Sequence, residues 1–239
     1  MNKFAFVDCK TVDEALGQLG DGATVKAGGI DLLDLMKDGI VTPPKLVNIR
    51  NVSSLRGITA GAEGLHLGPL STLSEIAAHP EIQKSYTALA DAAGHAATPQ
   101  VRNMATLGGN IMQRPRCWYF RSSDFDCKKK SNGSDDCHAH TGENQYHAIM
   151  NNSTCAMVHP SSTAVPLLAM NAQVELTSKR GKRTVAMSDF YIPPEKSLIN
   201  ETVVQPGEII YLNILRNGRR VQVPMQITSA VPPPESWVR

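Results

Sequence analysis

Four cysteines crowd one stretch of this 239-residue chain: Cys117, Cys127, Cys137 and Cys155, spaced C-x9-C-x9-C-x17-C. Thiolates are the soft donors that zinc and iron–sulfur clusters select. The spacing lacks the short C-x-x-C pairs of zinc ribbons and fingers. Four thiolates from one segment suffice for a [4Fe–4S] or a [2Fe–2S] cluster. Unliganded buried thiols and two disulfides remain open beside that reading, although disulfides need an oxidising compartment. His138, His140, His147 and His159 interleave with the cysteines, so a mixed Cys/His site is also open; each is more simply an exposed or core imidazole.

Two paired glycines form the second chemical feature. Lys26-Ala27-Gly28-Gly29-Ile30-Asp31-Leu32 lies between an expected strand and an expected helix, and Thr106-Leu107-Gly108-Gly109-Asn110 repeats the idea. Paired glycines let backbone approach a ligand closely, and amides at a helix start favour phosphate oxygens. A tight turn explains either loop alone, whereas two such loops could hold one extended diphosphate from both sides. Neither is a G-x-G-x-x-G fingerprint or a P-loop. The run Arg114-Pro115-Arg116-Cys117-Trp118-Tyr119-Phe120-Arg121 reads first as a packing plug beside the cysteines, then as a partner-facing surface or electron-transfer wall. No G-x-S-x-G or H-E-x-x-H occurs, and nothing resembles a self-sufficient acid–base site.

The elements that must position these residues follow from pattern. Residues 4–7 alternate like a strand, and Thr11 and Glu14 form a capping box before a helix with Val12, Ala15, Leu16 and Leu19 on its apolar face. Residues 24–27 make a second strand, residues 32–37 a helix and residues 46–49 a third strand, so the first fifty residues read β-α-β-α-β. A hairpin follows at 58–60 and 65–68. Thr72 and Glu75 form a second capping box; Pro80 interrupts the helix, which resumes over 81–93. Residues 94–116 show little periodicity, and 121–147 read as one long polar loop, functional or disordered. A hairpin at 174–177 and 183–187 and a strand at 209–215 complete a mixed α+β pattern.

Apolar residues make up 41% and charged residues 19%, which fits a globular protein, and a net charge of +2 without a basic stripe gives no sign of nucleic-acid binding. No apolar run approaches the roughly 20 residues of a membrane helix, and the first residues lack the apolar core of a signal peptide.

Read in order, Ala27-Gly28-Gly29-Ile30-Asp31-Leu32, Leu46-Val47-Asn48-Ile49, Thr98-Pro99-Gln100-Val101-Arg102-Asn103 and Ala105-Thr106-Leu107-Gly108-Gly109-Asn110 resemble the FAD-binding subunit of the xanthine dehydrogenase and carbon monoxide dehydrogenase family. The resemblance covers roughly residues 1–215. Residues 113–121, Asp124-Phe125-Asp126-Cys127 and residues 142–149 resemble the branch with bacterial periplasmic aldehyde oxidoreductase subunits. In that branch, as in hydroxybenzoyl-CoA reductases, an insertion in the flavin domain holds a [4Fe–4S] cluster.

The resemblance implies the two-subdomain FAD-binding fold shared with vanillyl-alcohol oxidase relatives, not a Rossmann fold. It implies a first subdomain over 1–55, a second over 56–215 with the insertion at about 114–155, and a divergent or truncated tail over 216–239. Lys26, Ala27, Gly28, Gly29, Ile30, Asp31, Leu32, Leu33 and Asp34 would wrap the FAD diphosphate. Thr106, Gly109 and Asn110 would hold its other side, and Ile209 or Ile210 would pack near the flavin. Cys117, Cys127, Cys137 and Cys155 would ligate the cluster, as an electron relay or as a staple for the insertion. A large molybdenum-cofactor subunit and a small [2Fe–2S] subunit would complete the complex, placing the chain in the periplasm by export with a partner, or in the cytoplasm. Ser162 stands where the family usually has an acidic FAD-binding residue. Family members run to about 290–330 residues, so this chain is expected to be truncated or divergent. Two rival readings follow: a degenerate subunit that keeps the cluster and not FAD, and a non-enzymatic module stapled by zinc or disulfides.

Overall fold

A computed structural model of the chain describes residues 1–20, 22–62, 64–131 and 136–215; the expected tail at 216–239 lies outside the described residues. Residues 1–50 form β1 (Ala5–Asp8), α1 (Val12–Gln18), β2 (Thr24–Lys26), α2 (Ile30–Lys37) and β3 (Lys45–Asn48). The three strands are parallel in the order β1-β3-β2, with Phe6 opposite Leu46 and Val25 opposite Val47. The expected capping box forms: Thr11 Oγ1 accepts from the Glu14 amide and Glu14 accepts from the Thr11 amide. It starts α1 where Ala15 and Leu16 can bury against Val47 and Ile49. Helix α2 begins two residues earlier than its apolar pattern suggested, because Gly29 adopts φ +84° and turns the chain at once.

The remaining described chain builds on a five-stranded antiparallel sheet. A hairpin of β4 (Ile58–Gly61) and β5 (Gly64–Leu67) leads through α3 (Leu73–Ala78), α4 (Pro80–Ser85), α5 (Thr87–His95), α6 (Pro99–Arg102) and α7 (Leu107–Ile111). After α8 (Trp118–Arg121), α9 (Lys128–Ser131) and a 3-10 turn at His138–His140 come α10 (Ala164–Ala169), the hairpin β6 (Gln173–Ser178) and β7 (Gly181–Ala186), α11 (Met187–Phe190) and β8 (Ile209–Leu215). The order is β4-β5-β8-β6-β7. Strand β8, last in sequence, joins the two hairpins, with Leu212 opposite both Leu67 and Val174. Leu65, Leu67, Val174, Leu176 and Leu212 bury one face of this sheet against Ile76, Leu89, Ala93, Leu107 and Phe190.

Three expectations change. The helix over 81–93 is broken at Tyr86 (φ −134°, ψ 45°), and α5 packs back on α3. Residues 94–116 carry α6 and α7, helices of four and five residues that Thr98 and Thr106 cap. They are too short to show a period. The polar stretch 121–147 contains α9 and the 3-10 turn, so it is not a single loop. Among the described residues no helix is long and apolar enough to cross a membrane.

The second capping box, Thr72 Oγ1 with the Glu75 amide and Glu75 with the Thr72 amide, starts α3 on the core. Thr72→Ala is expected to lower stability by about 1 kcal/mol in urea unfolding; an unchanged midpoint would show that the cap contributes nothing.

Candidate functional site

The two glycine loops border one cavity. The loop from β2 to α2 lies against residues 104–105 so closely that a Cβ on Gly28 would stand 2.0 Å from the Met104 carbonyl oxygen. Between the two sheets they border a cavity of about 820 Å³, within the range of cofactor pockets. Of the residues singled out in the sequence, Ala27, Gly28, Gly29, Ile30, Asp31, Leu32, Thr106, Gly109, Asn110, Ser162 and Ile209 line it, with Ile210 beside them. Lys26, Leu33 and Asp34 do not border it. The Lys26 ammonium instead donates to Ala27 O (3.3 Å) and Asn48 Oδ1 (3.2 Å), and burial holds its pKa below the usual lysine range.

The two loops are not chemically equal. At α7 the amides are spent on the protein: Leu107 N donates to Ser71 O, Gly108 N to Pro69 O and Asn110 N to Thr106 O, at 2.8–2.9 Å. Gly109 N donates to Thr106 Oγ1 at 3.2 Å. At α2 the N-cap is Gly29, which supplies no capping side chain. The first amides of a helix have no intrahelical acceptor, so the α2 start faces the cavity with N–H donors and the positive end of its dipole.

Asp31 would set a negative charge in this place, but arginines hold it. Arg121 Nη2 donates to Asp31 Oδ1 at 2.7 Å, the Arg114 amide donates to Oδ2 at 2.9 Å, and Arg116 stands 3.5 Å away. Asn110 turns its Oδ1 toward Ser161 Oγ (2.7 Å) and Thr163 Oγ1 (2.6 Å), both buried donors. Sequence reasoning singled out Ser162 and missed these two neighbours, since no local pattern ties them to a residue fifty positions away. It also missed the wall at 204–208. There Arg183 grips Glu208 with two hydrogen bonds (2.7 and 2.8 Å) and donates to Val203 O. That pairing holds the Glu208 carboxyl below its ordinary range.

The four clustered cysteines also come together. Cys117, Cys127, Cys137 and Cys155 line a second, enclosed cavity of about 20 Å³ with Tyr119, Phe120, Lys129, His138 and His147. All five cysteines of the chain are free thiols. Burial pushes the Cys117 and Cys155 thiols up, and the thiols near each add to the rise. Tyr119 and Phe120 are buried, as expected of a packing plug. Among the described residues no group of three or more His, Cys, Asp or Glu side chains is arranged to hold a single metal ion. His138 and His140 turn a ring nitrogen to the Asp126 and Asn152 carbonyls, both at 2.7 Å, and so tie down the loop. Lys129, its side chain 1% exposed, donates to Leu198 O (2.6 Å) and pairs with Glu201 (3.0 Å), which also receives Arg114 (2.9 Å). The two cavities share a wall: Arg114 and Arg116 border the large one, Pro115 and Cys117 the small one.

Residues 2–214 match the family described as the FAD binding domain in molybdopterin dehydrogenase. The chain belongs to that family. Among its relatives in the family it is 37% identical, over 88% of its own length and 67% of the other's, to the aldehyde oxidoreductase FAD-binding subunit PaoB of Escherichia coli (strain K12). It is 28% identical to the carbon monoxide dehydrogenase medium chain of Hydrogenophaga pseudoflava, over 84% of this chain and 56% of that one. The solved carbon monoxide dehydrogenase of Hydrogenophaga pseudoflava superposes with a TM-score of 0.63 at 24% identity, over 90% of this chain and 59% of that one. The mixed α+β FAD-binding fold expected from the resemblance is therefore the fold found. The chain spans about two thirds of the PaoB subunit and under three fifths of the medium chain.

The cavity wall at 204–208 carries a pH signature. The depressed Glu208 carboxyl contributes stability that is present above the unfolded carboxyl value of about 4.3 and is lost as pH falls through the lower folded value. Arg183 stands 42% exposed, so solvent screening keeps the pair to about 1 kcal/mol. Glu208→Gln is expected to be less stable than the parent in thermal unfolding at pH 7, with the gap closing under acid. A gap that does not change with pH would place the effect elsewhere.

Proposed function

We propose that this chain is the electron-transfer flavoprotein subunit of a molybdenum hydroxylase, binding FAD in the large cavity and a [4Fe–4S] cluster at Cys117, Cys127, Cys137 and Cys155. The observation that carries the flavin is the α2 start, which has no side-chain cap and lines a cavity that both glycine loops border. An anionic diphosphate is the ligand such a helix start favours, and Arg116, paired with Asp31 and Asp34 at 3.5 and 3.8 Å, borders the same cavity. Asp31 does not oppose it, because Arg121 neutralises that carboxylate while the Arg114 amide takes its other oxygen. Thr106, Gly109 and Asn110 shape the opposite side rather than donate amides, and Leu70, Leu73 and Ile209 supply apolar surface for a planar ring. Ser162 offers a hydroxyl where a charge is usual, so orientation there rests on one hydrogen bond.

For the cluster, the support is the donor set: four thiols line one cavity, and four thiolates from one segment suffice for such a cluster. The shared wall at 114–117 sets the two sites side by side and favours a relay over a mere staple. When bound, FAD exchanges two electrons and a cluster one, while the protein binds and orients both. The relatives point to the complex. PaoB is named as an aldehyde oxidoreductase subunit and the Hydrogenophaga pseudoflava relative as a medium chain. With the family resemblance, these names support as partners a molybdenum-cofactor large subunit, which hydroxylates an aldehyde, and a [2Fe–2S] small subunit.

The absorption spectrum of anaerobically purified protein tests this. Flavin bands on a broad iron–sulfur shoulder are expected. Colourless protein with stoichiometric zinc would sink the proposal, and a shoulder without flavin would mark a subunit that has lost FAD. Cys137→Ser is expected to lose most of its iron, by direct iron assay, while keeping flavin; full iron retention would remove Cys137 from the ligand set.

A further inference from the structure

We propose that His147 sets the reduction potential of the cluster by donating a hydrogen bond to the Cys117 sulfur. The inference rests on the cluster reading above and adds a role for a residue that is not itself a ligand.

His147 Nε2 lies 3.1 Å from Cys117 Sγ. Its Nδ1 is buried without a hydrogen-bond partner. A thiol could donate its proton to Nε2, but a metal-bound thiolate has none to give. Once Cys117 is a ligand, the contact is favourable only if the proton sits on Nε2 and points at the sulfur. The other tautomer would set two lone pairs against each other and bury an unpaired N–H, which is unfavourable. Hydrogen bonds to ionised acceptors are also the stronger kind.

The ring is held for this task by packing. Trp118 meets it edge-on at 5.3 Å between centroids, Tyr119 lies tilted at 5.7 Å, and the His147 amide donates to Asn144 O at 2.9 Å. The two other imidazoles of the insertion, His138 and His140, turn a ring nitrogen to backbone carbonyls instead. His147 is therefore the imidazole placed to act on a sulfur.

The direction of the effect follows from charge. One-electron reduction adds one negative charge to the cluster and its thiolates. An N–H aimed at a ligand sulfur stabilises that added charge and raises the potential. His147 is a positioning residue here: it neither ligates the metal nor accepts the electron.

The test uses the assembled protein, purified anaerobically, with His147→Phe and His147→Gln beside the parent. Phenylalanine keeps a ring against Trp118 and removes the donor; glutamine keeps an amide N–H at a similar reach. Each is titrated with dithionite, following the cluster by electron paramagnetic resonance, with iron assayed in parallel. The Phe variant is expected to keep its iron and shift its midpoint to more negative potential, with the Gln variant remaining nearer the parent. An unchanged midpoint in the Phe variant overturns the proposal. So does an equal shift in both variants, which would assign the effect to the lost ring. Iron loss in both overturns it too, in favour of a ligand or purely structural role. Parent protein without iron would defeat the cluster reading itself, a separate and distinguishable failure.

Discussion

The close approach of Gly28 to the Met104 carbonyl is the constraint on which the rest of this structure depends. A Cβ there would stand 2.0 Å from the oxygen, so any side chain would push the β2–α2 loop off residues 104–105. With the contact made, the parallel sheet and the antiparallel sheet enclose one cavity between them. The next residue, Gly29 at φ +84°, then turns the chain straight into α2 and presents the helix start to that cavity. The two glycines do different jobs: one permits an approach and the other a backbone angle.

Charge placement follows from this geometry. An aspartate in the first turn of α2 favours the helix dipole, but beside a diphosphate it would repel. Arg121 and the Arg114 amide resolve the conflict by taking both Asp31 oxygens. These two arginines belong to the cysteine-bearing segment. Arg114 continues to Glu201, and Glu201 to the buried Lys129 beside the cysteines. Two acidic residues, Asp31 and Glu201, thus tie the cysteine-bearing segment to the rest of the described chain. Of these side chains only Lys129 is fully buried; the Arg114–Glu201 and Arg121–Asp31 pairs are half-buried.

The cysteine-bearing segment has little core of its own. Its own buried apolar cluster is Tyr119, Ala139 and Ala156, with Cys117, Trp118 and Cys137 against it. Histidine and asparagine side chains bonded to backbone carbonyls do much of the rest. A segment with so small a core gains from any bound group that closes it. If a metal binds there, binding and folding become one equilibrium.

Much of the framework was legible from local pattern. The strand at 209–215, both capping boxes and the two hairpins are short-range features, decided by alternation, turn residues and a side chain three positions from its amide. The cysteines are close in sequence, and the fold gathers them around one cavity. What pattern could not show is which amides remain free once the chain folds. The two Gly-Gly loops look alike in sequence, yet α7 spends its amides on Pro69, Ser71 and Thr106 while α2 keeps its own for the cavity. Nor does Ser161 declare its partner Asn110, or His147 its contact with Cys117, across fifty and thirty positions. Composition and spacing determined the kinds of groups present and the elements that carry them. Only the tertiary structure decided which donors are already satisfied, because a hydrogen bond across the fold depends on where distant backbones meet and leaves no period in the sequence.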